Sequence, residues 1–199
     1  MKAPLFYSKI LLFGEYGIIK NSKGLSIPYN FFKGGFKIGS FENKNVKESN
    51  SNLIDFKNFL TKIDKSVVEF DFDKLEEDLK KGMFFDSSIP QGYGVGSSGA
   101  LVAALYDRYA LNKITVLENL TKPKILILKN IFSRMESFFH GKSSGLDPLN
   151  SYLSLPILIH SKNEIETTGI PSQSSNGKGA VFLLDSGISS ETAPMVDLF

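Results

Sequence analysis

The sequence predicts a fold of mixed helices and strands built as one continuous unit, on three observations. Short apolar or alternating runs stand within residues 10–41. Stretches with apolar residues at helical spacing follow from residue 53 onward. No internal repeat or low-complexity tract divides the chain. Its 199 residues, 42% hydrophobic and 22% charged, suffice for one generous domain. A chain of that size buries roughly 70% of its unfolded surface and needs no disulfide or metal staple.

The first strand is expected at Ile10-Leu11-Leu12-Phe13, an apolar run ended by Gly14, and a second at Phe36 to Phe41, where residues alternate. Between Gly39 and Leu53 the sequence reads as a loop. Leu53, Phe56, Phe59, Leu60 and Ile63 then repeat with the 3.6-residue period of an amphipathic helix. Val67 to Phe70 reads as a short strand, and Asp73 to Lys81 as a charged helix with a solvated face, stopped by Gly82. Met83 to Ile89 is extended and leads through a glycine-rich turn into a helix from Gly99 to Leu111. A second helix runs from Lys124 to His140, with Ile125, Leu128, Phe132, Met135 and Phe139 on one stripe and Gly141 at its end. Ala180 to Leu184 reads as a buried strand after the polar loop Ser172 to Gly179, and the seventeen Phe are assigned to the core. The apolar ending Met195 to Phe199 reads as an interrupted fold, because natural termini usually fray in polar residues.

Composition excludes several function classes. Lys and Arg number 23 against 21 Asp and Glu, and a net charge of +2 is too small for the broad basic face of a nucleic-acid binder. Anionic small molecules stay open. Zero Cys excludes a disulfide framework, a thiolate zinc site and a cysteine nucleophile, and two His cannot build a His-rich metal site. No run approaches the ~18 to 20 apolar residues of a membrane span. The start, Met1-Lys2-Ala3-Pro4-Leu5, lacks a secretory apolar region, so the cytoplasm is the expected location and no membrane partner is expected.

The most informative stretch is Pro90-Gln91-Gly92-Tyr93-Gly94-Val95-Gly96-Ser97-Ser98-Gly99. Glycines at alternate positions let backbone N–H groups turn inward, and Ser97 and Ser98 sit where a helix N-terminus leaves its first amides unpaired. Such a nest binds phosphate, and a hydroxyl there can reach a phosphate-bound Mg²⁺. Gly94 to Gly99 also matches the dinucleotide fingerprint G-x-G-x-x-G. That fingerprint wants a buried strand before it and an acid ~20 positions beyond it. Here the approach Asp86-Ser87-Ser88-Ile89-Pro90 is polar and the nearest acid is Asp107. A ligand-free turn is the bland alternative, and the Walker pattern is excluded because no Lys follows the last Gly.

Pro90-x-Gly92-x-Gly94-Val95-Gly96-Ser97-Ser98 resembles the phosphate-binding motif of the GHMP kinase superfamily, and two further motifs extend the resemblance toward its mevalonate kinases. Lys9 to Tyr16 is similar to their amino-terminal Lys strand and Gly-Glu turn. Glu136-Ser137-Phe138-Phe139-His140-Gly141-Lys142-Ser143-Ser144-Gly145-Leu146-Asp147 resembles their helix Glu, His-Gly turn and Ser-Gly-x-Asp. The resemblance implies an α+β fold like ribosomal protein S5 domain 2, with helices against a mostly antiparallel sheet. It implies that residues 1–199 are the amino-terminal ATP-binding domain, with the first elements of the ferredoxin-like carboxy-terminal domain from about residue 180 and the rest missing. It also implies ATP and Mg²⁺ as cofactors and mevalonate as the alcohol phosphorylated, the alternatives being phosphomevalonate, homoserine or a sugar as acceptor or a nucleotide-binding fragment without catalysis, with a homodimer as one form of assembly.

Site roles follow from the same resemblance. Pro90, Gly92, Tyr93, Gly94, Val95, Gly96, Ser97 and Ser98 would hold the nucleotide, with Tyr93 either covering it or merely packing. Ser98 and Glu136 would hold Mg²⁺. Asp147 would either take the proton of the alcohol or orient it, with Lys9 polarising the attacking hydroxyl. Glu15, Tyr16 and Thr192 would face the substrate, although Tyr16 stands where mevalonate kinases commonly have His. Taken singly, these residues read more plainly: Glu136 as an exposed helix residue, Asp147 as a turn residue, Lys9 as a strand-edge lysine. His140 is expected to serve the last carbonyls of its helix.

Overall fold

The computed structural model describes residues 4–14, 22–116, 120–161, 163–169, 184 and 187. The chain runs β1 (Phe6–Phe13), β2 (Gly24–Ile38), α1 (Lys44–Leu60), α2 (Phe72–Lys80), β3 (Met83–Ser87), α3 (Ser97–Tyr109), α4 (Lys122–His140), α5 (Leu146–Leu153), β4 (Ile157–Ser161) and β5 (Glu164–Thr167). The strands form one sheet in the order β1-β2-β4-β5, with β3 also on β2. Every pairing is antiparallel. The α+β expectation holds.

Helix α3 lies at the centre of the core because it presents almost no polar side chain to be satisfied. Ala100, Val102, Ala103, Ala104, Leu105, Tyr106 and Tyr109 are all buried on it. The alanines let neighbouring elements approach closely, and the helix packs against α5, α4 and β1. Tyr106 and Phe132 of α4 meet edge to face at 5.1 Å, and Tyr152 of α5 joins them at 5.2 Å from Tyr106. Each such aromatic pair is worth about 0.5–1.5 kcal/mol beyond its buried area. The tail of α4 is pinned to α1 in the same way, with Phe56 5.1 Å from both Phe138 and Phe139.

Local signals set the helix ends. Asp71 caps α2 by accepting from the Lys74 amide at 3.0 Å. Thr121 caps α4, whose first turn carries Pro123, and Gly141 ends it with φ +67°. These bounds agree with the sequence reading to within two residues.

Other expectations need correction. Strand β2 begins at Gly24 and ends at Ile38, short of Phe41. Helix α1 begins at Lys44, inside the segment read as a loop, and stops at Leu60. Its buried face includes Asn50, whose amide donates to the carbonyls of Leu79 and Met83 at 3.0 and 2.7 Å, so a polar residue fills a core position. Val67 to Phe70 forms no strand; only Phe70 makes a bridge, to Ala110. The face of α2 is not wholly solvated, because Asp78 is buried against Arg108 and Tyr109. Not every Phe is core: Phe31 is 71% and Phe13 55% exposed. Of the strand expected at Ala180 to Leu184 only Leu184 is described, and it lies in no regular element. Among the described residues no helix is long and apolar enough to cross a membrane.

Candidate active site

Four segments meet at the N-terminus of α3. Lys9 faces inward from β1, and its backbone amide donates to the Val95 carbonyl at 3.0 Å, stitching the strand to the glycine loop. Its ammonium reaches Asp147 Oδ1 at 3.1 Å, with 9% of the Lys9 side chain and 36% of the Asp147 side chain exposed. Asp147 stands in the first turn of α5, where the helix dipole favours a carboxylate. It is a helix residue, not the turn residue its neighbours Gly145 and Pro148 imply. A proline is tolerated this early because first-turn amides lack intrahelical partners.

Glycines permit this convergence. A Cβ on Gly99 would stand 2.8 Å from the carbonyl carbon of Asp147 and from the Pro148 nitrogen, so α3 and α5 touch backbone to backbone there. Gly96 has φ +82°, and a Cβ on it would meet Lys9 Cγ at 3.1 Å and Asp147 Oδ2 at 3.8 Å. In the loop itself Gly92 and Gly94 also have positive φ, +77° and +67°. No side chain caps α3, which leaves its first-turn amides to a ligand or water.

Glu136 lies one turn before the end of α4 and is 3% exposed, unlike the surface residue its helix position implies. Its Oε1 accepts from the Ser98 hydroxyl at 3.2 Å, and its Oε2 accepts from the Ser143 hydroxyl. Burial, and then the Asp147 charge, push its carboxyl up to about 7 against the lowering effect of Ser143, Ser98 and Lys9. A buried carboxylate so placed is short of positive charge. Together with the Ser98 hydroxyl it forms a hard oxygen pair that suits Mg²⁺, which keeps waters and takes few protein ligands. Among the described residues no group of three or more His, Asp and Glu collects.

Beside the loop, a cleft of about 680 Å³ is lined by Asn52 of α1, Gln91, Ser97, Ser98, Phe139 and His140, among others. The structure thus brings together Lys9, Gly96, Ser98, Glu136 and Asp147. Tyr93 stays on the loop surface, 40% exposed. Glu15, Tyr16 and Thr192 lie outside the described residues. Sequence reasoning missed Ser143, which is fixed by accepting from the Gly145 amide at 3.0 Å while it donates to Glu136. No periodicity marks a contact made across a turn. It also misplaced His140, whose ring meets Ser98 Oγ at 3.1 Å instead of capping the helix. The spacing Glu136-x-x-x-His140, one helical turn, is the signal that could have found it.

Residues 61–154 match the family model described as the GHMP kinases N terminal domain. The match spans a little under half of the chain and includes the glycine loop, Glu136 and Asp147. The chain is similar in structure to the mevalonate kinase of L. major in complex with R-mevalonate, with 18% identity and a TM-score of 0.50, over 99% of this chain and 60% of that one. It is also similar to the Methanococcus jannaschii mevalonate kinase, with 21% identity and a TM-score of 0.48 over 84% of this chain and 55% of that one. For the Staphylococcus aureus MRSA252 mevalonate kinase the figures are 19% and 0.44, over 82% and 53%. The first of these likenesses shows a shared fold. No curated protein matches the sequence.

Proposed function

We propose that the chain is the nucleotide-binding part of an ATP- and Mg²⁺-dependent kinase of a small alcohol, with mevalonate as acceptor and 5-phosphomevalonate as product. The observation that carries this reading is the Lys9–Asp147 pair, 3.1 Å apart, standing against Gly96 where α3 opens, with Ser98 in the first turn of α3 bonded to Glu136 of α4. The acceptor is argued from the fold shared with the L. major enzyme.

In this reading the loop amides and the first turn of α3 hold the triphosphate, and water is kept from Lys9 by β1 and α3. The alcohol oxygen forms a bond to the γ-phosphorus as the bond from that phosphorus to the leaving ADP oxygen breaks, and the alcohol proton passes to the Asp147 carboxylate. In the alternative division of labour, Asp147 orients the alcohol and Lys9. Ser98 and Glu136 would hold Mg²⁺, whose chemistry there would be to neutralise phosphate charge. We place the protein in the cytoplasm.

Transfer from Mg-ATP to a panel of alcohols, including mevalonate, homoserine and sugars, tests the reading. Mevalonate should be phosphorylated, and Asp147→Asn should lower turnover by about 10²–10⁴-fold while Mg-ATP affinity stays within about twofold. Phosphate on a sugar but not on mevalonate would replace the acceptor. Full turnover in Asp147→Asn would remove the role given to Asp147, and nucleotide binding with no acceptor turned over would leave a binding module.

A further inference from the structure

The Ser98 hydroxyl stands between two side chains of α4. Glu136 Oε1 lies 3.2 Å away and His140 Nε2 lies 3.1 Å away. The two α4 residues are four apart and therefore share a helix face. At the end of the helix the Gly141 amide donates to the Ser137 carbonyl at 2.8 Å and the Lys142 amide to the His140 carbonyl at 2.7 Å, so these two carbonyls do not call on the imidazole.

A serine hydroxyl has one proton and two lone pairs. Glu136 Oε2 is occupied by the Ser143 hydroxyl, which is itself anchored by the Gly145 amide. Without a cation, the Ser98 proton can point at Glu136 Oε1. Once a hard cation draws on both Ser98 Oγ and that carboxylate, the proton must turn away from the metal-facing oxygen. Among the described residues, the other side-chain partner of Ser98 is His140 Nε2.

We propose that His140 is a positioning residue whose Nε2 accepts a hydrogen bond from the Ser98 hydroxyl, so that the hydroxyl oxygen aims its lone pair at the divalent cation carried with the nucleotide. This rests on the reading of Ser98 and Glu136 as cation ligands. It assigns the ring the tautomer with its hydrogen on Nδ1, and it makes Glu136 and His140 two jaws set one helical turn apart around one hydroxyl.

The test compares wild type, His140→Phe, which keeps a ring without an acceptor, and His140→Gln, whose amide oxygen can accept at similar reach. Calorimetry with ATP plus chelator and with Mg-ATP separates metal-dependent from metal-independent affinity, and thermal unfolding follows stability. His140→Phe should weaken only the metal-dependent part, by about five- to tenfold, with its melting temperature kept, and His140→Gln should recover most of the loss. An unchanged Mg-ATP affinity in His140→Phe overturns the proposal. So does an equal loss of metal-free ATP binding, which would make the ring a phosphate contact, or a loss that His140→Gln does not mend. If wild type binds Mg-ATP no better than metal-free ATP, the cation reading itself falls, and this assignment falls with it.

Discussion

Replacing Glu136 by Gln should stabilise the metal-free protein above neutral pH, even though it removes a group of the proposed site. The carboxyl is 3% exposed and stands at about 7, where an unperturbed glutamate stands at 4.5. Because the folded value is raised, the unfolded chain releases this proton first as pH rises. The contribution of protonated Glu136 is therefore whole below 4.5 and is lost as pH climbs through about 7. That separation corresponds to about 3 kcal/mol. Gln mimics the protonated carboxyl in shape and does not titrate. It offers one carbonyl to two hydroxyl donors, Ser98 and Ser143, which costs about 1 kcal/mol against the ionised side chain. The net gain at pH 8 is about 2 kcal/mol, or about 4–8 °C in melting temperature for a chain of this size. Near pH 4.5 the variant and wild type should melt together. The assay is thermal unfolding with chelator at both pH values. If Glu136→Gln lowers stability equally at the two, the carboxylate is not strained by burial, and the argument for a cation beside it loses its basis.

Two further outcomes follow from packing and charge. Gly99→Ala should force α5 away from α3, since the new Cβ lands 2.8 Å from two backbone atoms; we expect a loss of about 1–3 kcal/mol in urea unfolding and a larger fractional loss of turnover, because the displaced residue is Asp147. Asp78→Ala should cost about 2–4 kcal/mol at pH 7, since it leaves Tyr109 and Arg108 without the carboxylate they reach at 2.8 and 2.7 Å. Burial alone would raise the Asp78 carboxyl, but the hydrogen bonds from Tyr109 and Arg108 outweigh it and hold the group below 3.8. The stabilisation is thus present above 3.8 and fades as pH falls through the lower folded value, so the difference between variant and wild type in urea titrations should shrink toward acid.

What could be read in the sequence was whatever a local rule governs. Helices α2 and α4 announced themselves through Gly82 and Gly141 at their ends and, for α4, through its apolar stripe; the structure adds Asp71 and Thr121 as their N-caps. The first half of α1 did not, because its inward face carries Asn50, which is satisfied by carbonyls about thirty residues away on the chain. Pro148 hid α5 in the same manner, by looking like the end of a helix in a place where it starts one. Strand β2 contains Pro28 and the pair Gly34-Gly35, poor strand formers that are held by pairing: Pro28 opposite Lys9 of β1, Gly35 opposite Asp86 of β3, and Gly34 between Phe6 and Ser87. For the site, motif register put Lys9, Ser98, Glu136 and Asp147 into one group before any coordinates. Register carries residue types and order, not distances, so the hydroxyl of Ser143 and the turned ring of His140 stayed out of sight.

The same reasoning explains why so charged a cluster rests on so apolar a helix. Lys9, Glu136 and Asp147 are two carboxylates and one ammonium gathered within one small region, where burial first and then the Asp147 charge raise the Glu136 carboxyl, so holding it ionised there is uphill. The backbones behind these side chains stand closer than a Cβ allows at Gly99 against Asp147 and at Gly145 against Lys129. Close backbones in turn need a rigid support, because a small recoil would relieve the charge strain and disperse the group. Helix α3 supplies it. With Ala100, Ala103, Ala104 and Leu105 no more than 1% exposed and Tyr106 locked between Phe132 and Tyr152, its N-terminus cannot retreat without opening the core. The uphill electrostatics are therefore held in place by packing elsewhere along the same helix, and under the proposed reading a cation at Ser98 and Glu136 would lower that cost.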